Sequence, residues 1–109
     1  MAEAFKRLAQ GRFAGSSAKL YDVPSSTETI IKAINISNNT GTAREVTLYH
    51  CDNSDTPDDE QIILPGVSIA AGGFAEWEGT LTMAALTEIY GFAAAADAVT
   101  FTIWGIELS

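Results

Sequence analysis

His50 and Cys51 are the chain's single histidine and single cysteine, and they are adjacent. In a strand, neighbouring side chains point to opposite faces, so the two cannot form a local thiolate–imidazole dyad. A four-ligand zinc site would need three or more further ligands from carboxylates or a second chain. The expected roles are therefore a core-facing or interfacial His50 and an inert Cys51. Ser16, Ser17, Ser25 and Ser26 lie in Gly/Pro-rich turns without the G-x-S-x-G pattern that exposes a nucleophile. Gly72-Gly73 has neither the lysine–serine pair nor the following helix of a phosphate loop. Residues 52–60, DNSDTPDDE, concentrate acids, but an EF-hand register from Asp52 puts Ser54, Thr56 and Pro57 where ligands and glycine belong. A solvated acidic loop is expected there. Glu76 and Glu78 flank Trp77 and read as solvent-facing acids of one strand. With no catalytic constellation, the chain is expected to be no enzyme and to carry no metal or cofactor.

The elements around these residues have the period of strands. Residues 29–50, TIIKAINISNNTGTAREVTLYH, predict two long strands joined by a polar turn at Asn38-Asn39-Thr40-Gly41, a central hairpin. Ile30, Ile34 and Ile36 share one parity, with Lys32 as the polar exception; Val46, Leu48 and His50 share another. A short strand surrounds Leu20 and Tyr21 and ends at Pro24. Ile62 to Leu64 makes a brief strand stopped by a Pro65-Gly66 turn. Further strands are expected around Val67, from Phe74 to Gly79, around Tyr90, and from Val99 to Glu107. Seven to eight short strands at this spacing predict a single antiparallel β-sandwich, jelly-roll or immunoglobulin-like. Trp104 and Ile106 would point away from the core, where an apolar pair needs a cover.

Residues 1–17 lack the two-residue alternation and are expected to form an extended N-terminal arm, with residues 18–109 as the sandwich domain. Four of the six basic residues (Lys6, Arg7, Arg12, Lys19) lie in the first nineteen positions beside the lone acid Glu3, although the whole chain carries a formal charge of −8. A basic arm on an acidic body suits an acidic neighbour. Nucleic acid is not the expected partner, because only Phe5 and Phe13 could supply stacking. No run reaches the about 18 apolar residues of a membrane helix, and Leu8-Ala9-Gln10-Gly11 is no signal-peptide core. One cysteine fits synthesis in a reducing cytoplasm.

Three stretches together carry a resemblance: KRLAQGRFAGSSAKLYDVPSSTETIIKAINISNNTGTAREVTLYH, then ILPGVSIAAGGFAEWEG, then VTFTIWGIELS. Over about residues 6 to 109 the chain resembles small β-sandwich virion proteins of tailed bacteriophages, which decorate capsids as cement proteins or serve as head-fibre, head–tail or tail accessory modules. The resemblance implies a non-enzymatic structural protein on the capsid surface of a virion, made in the host cytoplasm. Its partners would be the major capsid protein or another virion protein and further copies of itself, as a trimer or dimer. Because the closing strand is followed by no receptor-binding extension, a compact decoration protein is expected rather than an adhesin. The arm residues Phe5, Lys6, Arg7, Leu8, Arg12 and Phe13 would bind the partner, with Trp77, Trp104 and Ile106 as interface anchors. A head–tail or tail accessory role is the alternative. A carbohydrate- or ligand-binding sandwich is a second one, and it requires Trp77, Trp104 and Tyr90 to be exposed on one face.

Overall fold

The computed structural model describes residues 3–52, 59–93 and 99–108. Within them eight strands follow in order: β1 (Glu3–Arg12), β2 (Ala18–Asp22), β3 (Glu28–Asn38), β4 (Arg44–Cys51), β5 (Ile62–Ile69), β6 (Phe74–Met83), β7 (Glu88–Ala93) and β8 (Val99–Leu108). A single 3-10 turn, Asp59–Gln61, leads into β5. The strands form two four-stranded antiparallel sheets, sheet A in the order β1-β8-β3-β6 and sheet B in the order β2-β7-β4-β5. Strand one thus pairs with eight, two with seven, three with six and four with five, as in one long hairpin rolled upon itself. That order is the eight-stranded jelly roll, so of the two expected topologies the immunoglobulin-like one, with its seven-stranded division, is excluded.

The core lies between the sheets. Ile31, Ile34, Ile36, Ile103 and Val99 from sheet A meet Val46, Leu48, Ile69 and Ile89 from sheet B, nearly all fully buried. Each such side chain contributes about 1.5–3 kcal/mol relative to exposure.

Three expectations are corrected by the pairing. Residues 3–12 are not an arm but β1, an edge strand paired along β8 from Glu3 opposite Leu108 to Arg12 opposite Thr100. The alternation is hidden because Leu8 is an extra residue: Arg7 faces Trp104, and Ala9 already faces Ile103. A bulge of this kind moves the inward set from even to odd positions, which erases a two-residue period in the sequence. Secondly, β3 and β4 are not a hairpin. They belong to opposite sheets, and residues 39–43 arch between them. Lys32 is a bulge residue of the same type, between Ile31 opposite Gly105 and Ala33 opposite Trp104. So Ile31, not Ile30, joins Ile34 and Ile36 in the core, and Lys32 reaches outward to donate to Thr80 Oγ1 at 3.1 Å. Thirdly, Pro65-Gly66 does not end a strand. β5 runs through it with Gly66 at φ 47 and a local register shift against β4. An edge strand tolerates proline and a glycine bulge where a central strand would not. Likewise β6 continues through Gly79.

Candidate interaction surface

Because antiparallel partners share a face, the register of sheet A fixes its outer surface row by row. Phe5, Ile106, Ile30 and Thr82 form one row; Arg7, Trp104, Ala33 and Glu78 form the next. Gln10, Thr102, Asn35 and Glu76 follow, then Arg12, Thr100, Ser37 and Phe74. Gln10 Nε2 donates to Thr102 Oγ1 at 3.1 Å, and Arg7 donates to Gln10 Oε1 at 3.0 Å, along this face. An apolar band of Phe5, Ile106, Ile30 and Trp104 therefore crosses one half of the sheet. Phe5 is 63% exposed and Phe74 79%. The band is flanked by cations on the β1 edge, Arg7 and Arg12, and by carboxylates on the β6 edge, Glu76 and Glu78, all exposed.

This arrangement sorts the residues singled out in the sequence. Phe5, Arg7 and Arg12 lie on the outer face or its edge, and Trp104 and Ile106 lie at its centre, half-buried. Lys6 has the inward parity at the sheet's end, and its Nζ pairs with Glu107 at 2.8 Å. Leu8 packs against the core. Phe13 is wholly buried: its ring tilts against Phe101 with centroids 5.2 Å apart, and its amide donates to the Val99 carbonyl at 2.8 Å. Phe13 is a core residue, so it is removed from the partner-binding set. Trp77 pairs with Ile34 and packs on the core from the inner face of sheet A, so it is no exposed anchor.

The ring platform required for carbohydrate does not form. Trp77 lies inside, Trp104 on the outer face of sheet A, and Tyr90 on the outer face of sheet B opposite Tyr49. Tyr49 and Phe92 stack there at 6.4 Å and 23°. His50 is half-buried, and desolvation holds its pKa below the ordinary 6.5. Cys51 is buried. Most of the acidic loop, residues 53–58, lies outside the described residues, and among the described ones no three His, Cys, Asp or Glu cluster as metal ligands.

Two polar nodes hold the ends of the sandwich. At one, Tyr21 of β2 donates to Glu107 of β8 at 2.7 Å, and the Thr29 hydroxyl of β3 lies 2.8 Å from the same phenol oxygen. With the phenol proton committed to the carboxylate, Thr29 is the donor. Lys6 and the phenol lower the Glu107 pKa, whereas burial raises that of Tyr21. At the other end, Asn38 Nδ2 donates to the carbonyls of Thr42 and Ile69 at 2.9 Å and of Ala70 at 3.2 Å, and Asn38 Oδ1 accepts from Thr40.

The basic and acidic edges were the least visible from sequence. Glu76 and Glu78 read as ordinary solvated acids because their counterpart, Arg7 and Arg12, sits at the far side of a sheet whose order the sequence does not show.

No protein-family model matches the chain, and no curated protein sequence does either. Solved structures share the fold. A protein of the Bacillus endospore appendages, a family of disulfide-linked pili, superposes with a TM-score of 0.61 at 16% identity, over 98% of this chain and 88% of that one. The coat protein of Tobacco streak virus gives 0.59 at 9% identity, over 98% and 86%. A chain of infectious bursal disease virus, strain Gx, gives 0.53 at 10% identity, over 97% of this chain and 31% of its own length. At such identities the likeness establishes an antiparallel jelly-roll sandwich.

Proposed function

We propose that this chain is a non-enzymatic structural protein of a virion, a capsid decoration protein whose sheet A lies face-down on the major capsid lattice. The observation that carries the reading is the band of Phe5, Ile106, Ile30 and Trp104 on an outer sheet face, with no element of the described chain laid over it. Apolar rows flanked by opposite charges suit a seam between subunits: the aromatic anchors are desolvated and the charges set the orientation. The jelly-roll likeness to a virus coat protein and to a virus structure supports the same class. The resemblance to tailed-phage sandwich proteins supports the decoration role.

Removing residues 1–17 is not a usable test, since it would delete β1 and take Phe13 from the core. Point substitutions serve instead. Capsids assembled without the protein are mixed with wild type, Trp104→Glu, Phe5→Asp and, as a control on the other sheet, Tyr90→Ser, and then sedimented. Wild type and the control are expected to load at a fixed stoichiometry, and both sheet A variants to stay in the supernatant with unchanged circular dichroism. If wild type ignores capsids, or the sheet A variants load as it does, the reading is wrong. Loading on isolated tails rather than heads would replace it with the accessory role.

A further inference from the structure

We infer that the two edges of sheet A join successive copies of this chain, β6 of one copy against β1 of the next, in a head-to-tail assembly with a shared sheet. Both strands are sheet edges, both are ten residues long, and neither contains proline. An edge strand of this length offers its outward N–H and C=O groups to another strand, and the charges and bulges of these two restrict which strand fits.

Strand direction favours this union. Each neighbouring pair in sheet A is antiparallel, and the sheet has four strands, so β1 and β6 run in opposite directions. A second copy set alongside in the same orientation therefore offers β6 an antiparallel partner. In the unshifted register, the rows of one copy continue into those of the next. Glu78 then stands opposite Arg7, Glu76 opposite Gln10 and beside Arg12, and Phe74 opposite Arg12. Opposite charges directly across a strand pair are favourable, and a guanidinium over a phenyl face adds to them.

Exposure points the same way. Phe74 and Phe5, two of the three exposed large apolar side chains among the described residues, lie on these two edges and nowhere else in sheet A. A joint between β6 and β1 covers Phe74, and it lengthens the apolar band by setting Phe5 beside Thr82. Like edges match less well: β1 against β1 sets Arg7 opposite Gln10 and crowds the arginines diagonally with no carboxylate across from them, and β6 against β6 sets Glu78 opposite Glu76. The contact is therefore heterologous. Sheet twist rotates each copy relative to the last, so the assembly closes into a ring or continues as a filament.

The test uses the purified full chain without capsids, so its outcome is independent of whether the protein decorates one. Sedimentation velocity over a concentration series is expected to show assemblies larger than dimers. Arg7→Glu alone and Glu78→Arg alone should each raise the concentration at which these form by at least about tenfold. In the equimolar mixture of the two variants assembly should recover through alternating copies, because each joint between unlike copies has one basic and one acidic edge. The double variant Arg7→Glu/Glu78→Arg should also assemble. Raising the ionic strength from about 0.01 to about 1 M, which shortens the Debye length from about 30 to about 3 Å, should shift wild type toward monomer. A wild type that stays monomeric, a species that stops at a dimer, or folded single variants that assemble as wild type does would overturn the inference. So would a mixture that fails to recover assembly.

Discussion

Sheet A and sheet B contain the same number of strands, yet they differ at their edges and at their centres. At the edges of sheet B, β2 is five residues long and bulged at Leu20, while β5 carries Pro65 and a kinked Gly66. These are the devices that keep a sheet from recruiting another chain. The edges of sheet A are bulged as well, but they are twice the length of β2 and carry no proline. At the centres, each sheet has one glycine on a middle strand, Gly105 on β8 and Gly91 on β7, but the two are crowded by different things. A Cβ at Gly105 would run into the Ile30 carbonyl oxygen of the neighbouring backbone, whereas one at Gly91 would meet side-chain tips of Leu48, Leu20 and Phe13 at 2.9–3.0 Å. Sheet B is shaped by side-chain packing that can shift. Sheet A is shaped by its backbone: bulges in β1, β3 and β6 flank the Trp104 row, and Gly105 lies beside them.

Gly105→Ala is the sharpest way to break that difference. Since the obstacle is backbone, β8 or β3 must move, and the loss is expected at about 3 kcal/mol or more, the upper end for overpacking. In thermal unfolding that is a fall on the order of 15 °C for a domain this size. A loss within about 1 kcal/mol would show that sheet A yields as easily as a side-chain core.

Asn38 comes next, because it ties the two sheets to each other. It sits on β3 of sheet A, has no exposed surface, and donates to carbonyls at the end of β5 in sheet B. Asn38→Ala removes those bonds and strands the carbonyls, with an expected cost of about 2–3 kcal/mol in urea unfolding. Asn38→Asp should be at least as harmful, since a carboxylate cannot donate to carbonyl oxygens. If Asp is tolerated as well as Asn, the amide is not what holds the arch.

Gly91→Ala should cost less than either. Leu20 and Leu48 can rotate away from a new methyl, so about 1–2 kcal/mol is expected, measured in the same unfolding experiment. Should Gly91→Ala equal Gly105→Ala, the contrast between a packed sheet and a backbone-limited one would collapse.

These residues also show what the sequence carries and what it hides. Strands β4 and β8 were legible because the inward residues Val46/Leu48 and Val99/Phe101/Ile103 keep their alternation, and β2, although bulged at Leu20, because Leu20-Tyr21 stands before Pro24. β1 was not, because one inserted residue, Leu8, moves the inward set from Lys6 to Ala9, Gly11 and Phe13 and cancels the period. The same insertion at Lys32 assigned Ile30 to the core in place of Ile31. The Asn38–Gly41 turn was correctly placed, but a turn does not say whether its strands stay in one sheet. That depends on pairings far along the chain, β3 with β8 and β4 with β7, which local pattern cannot contain. Of the candidate surface, Trp104 and Ile106 were visible as a misplaced apolar pair on a strand. The opposition of Arg7 to Glu78 depends on strand order and was not.

The smallest expected effect distinguishes the two ends of the sandwich. The Asn38 end has no titrating group in its network, so its contribution should not vary with pH. At the other end Glu107 has its pKa lowered, first by the hydrogen bond from Lys6 and then by that from Tyr21. The folded state therefore favours the carboxylate. Its contribution is complete above the ordinary glutamate value of 4.5 and is lost as pH falls through the lower folded value. Tyr21 acts in the opposite sense: burial raises its pKa, so its contribution is complete below 10.0 and lost as pH rises beyond it. Lys6 is about half-exposed in this pair, with 52% of its side chain accessible, so the ion pair adds only some 0.2–1 kcal/mol. Urea midpoints followed from neutral pH down through the carboxylate range should therefore fall, and Lys6→Ala should flatten part of that fall while leaving the Asn38→Ala penalty unchanged. Because Lys6 lies on the edge strand β1, its loss should also speed amide exchange along β1 before that along β3. An acid limb unaffected by Lys6→Ala would mean that Tyr21 alone sets the Glu107 carboxylate, and that the β1 edge is held by its pairing with β8 and by nothing ionic.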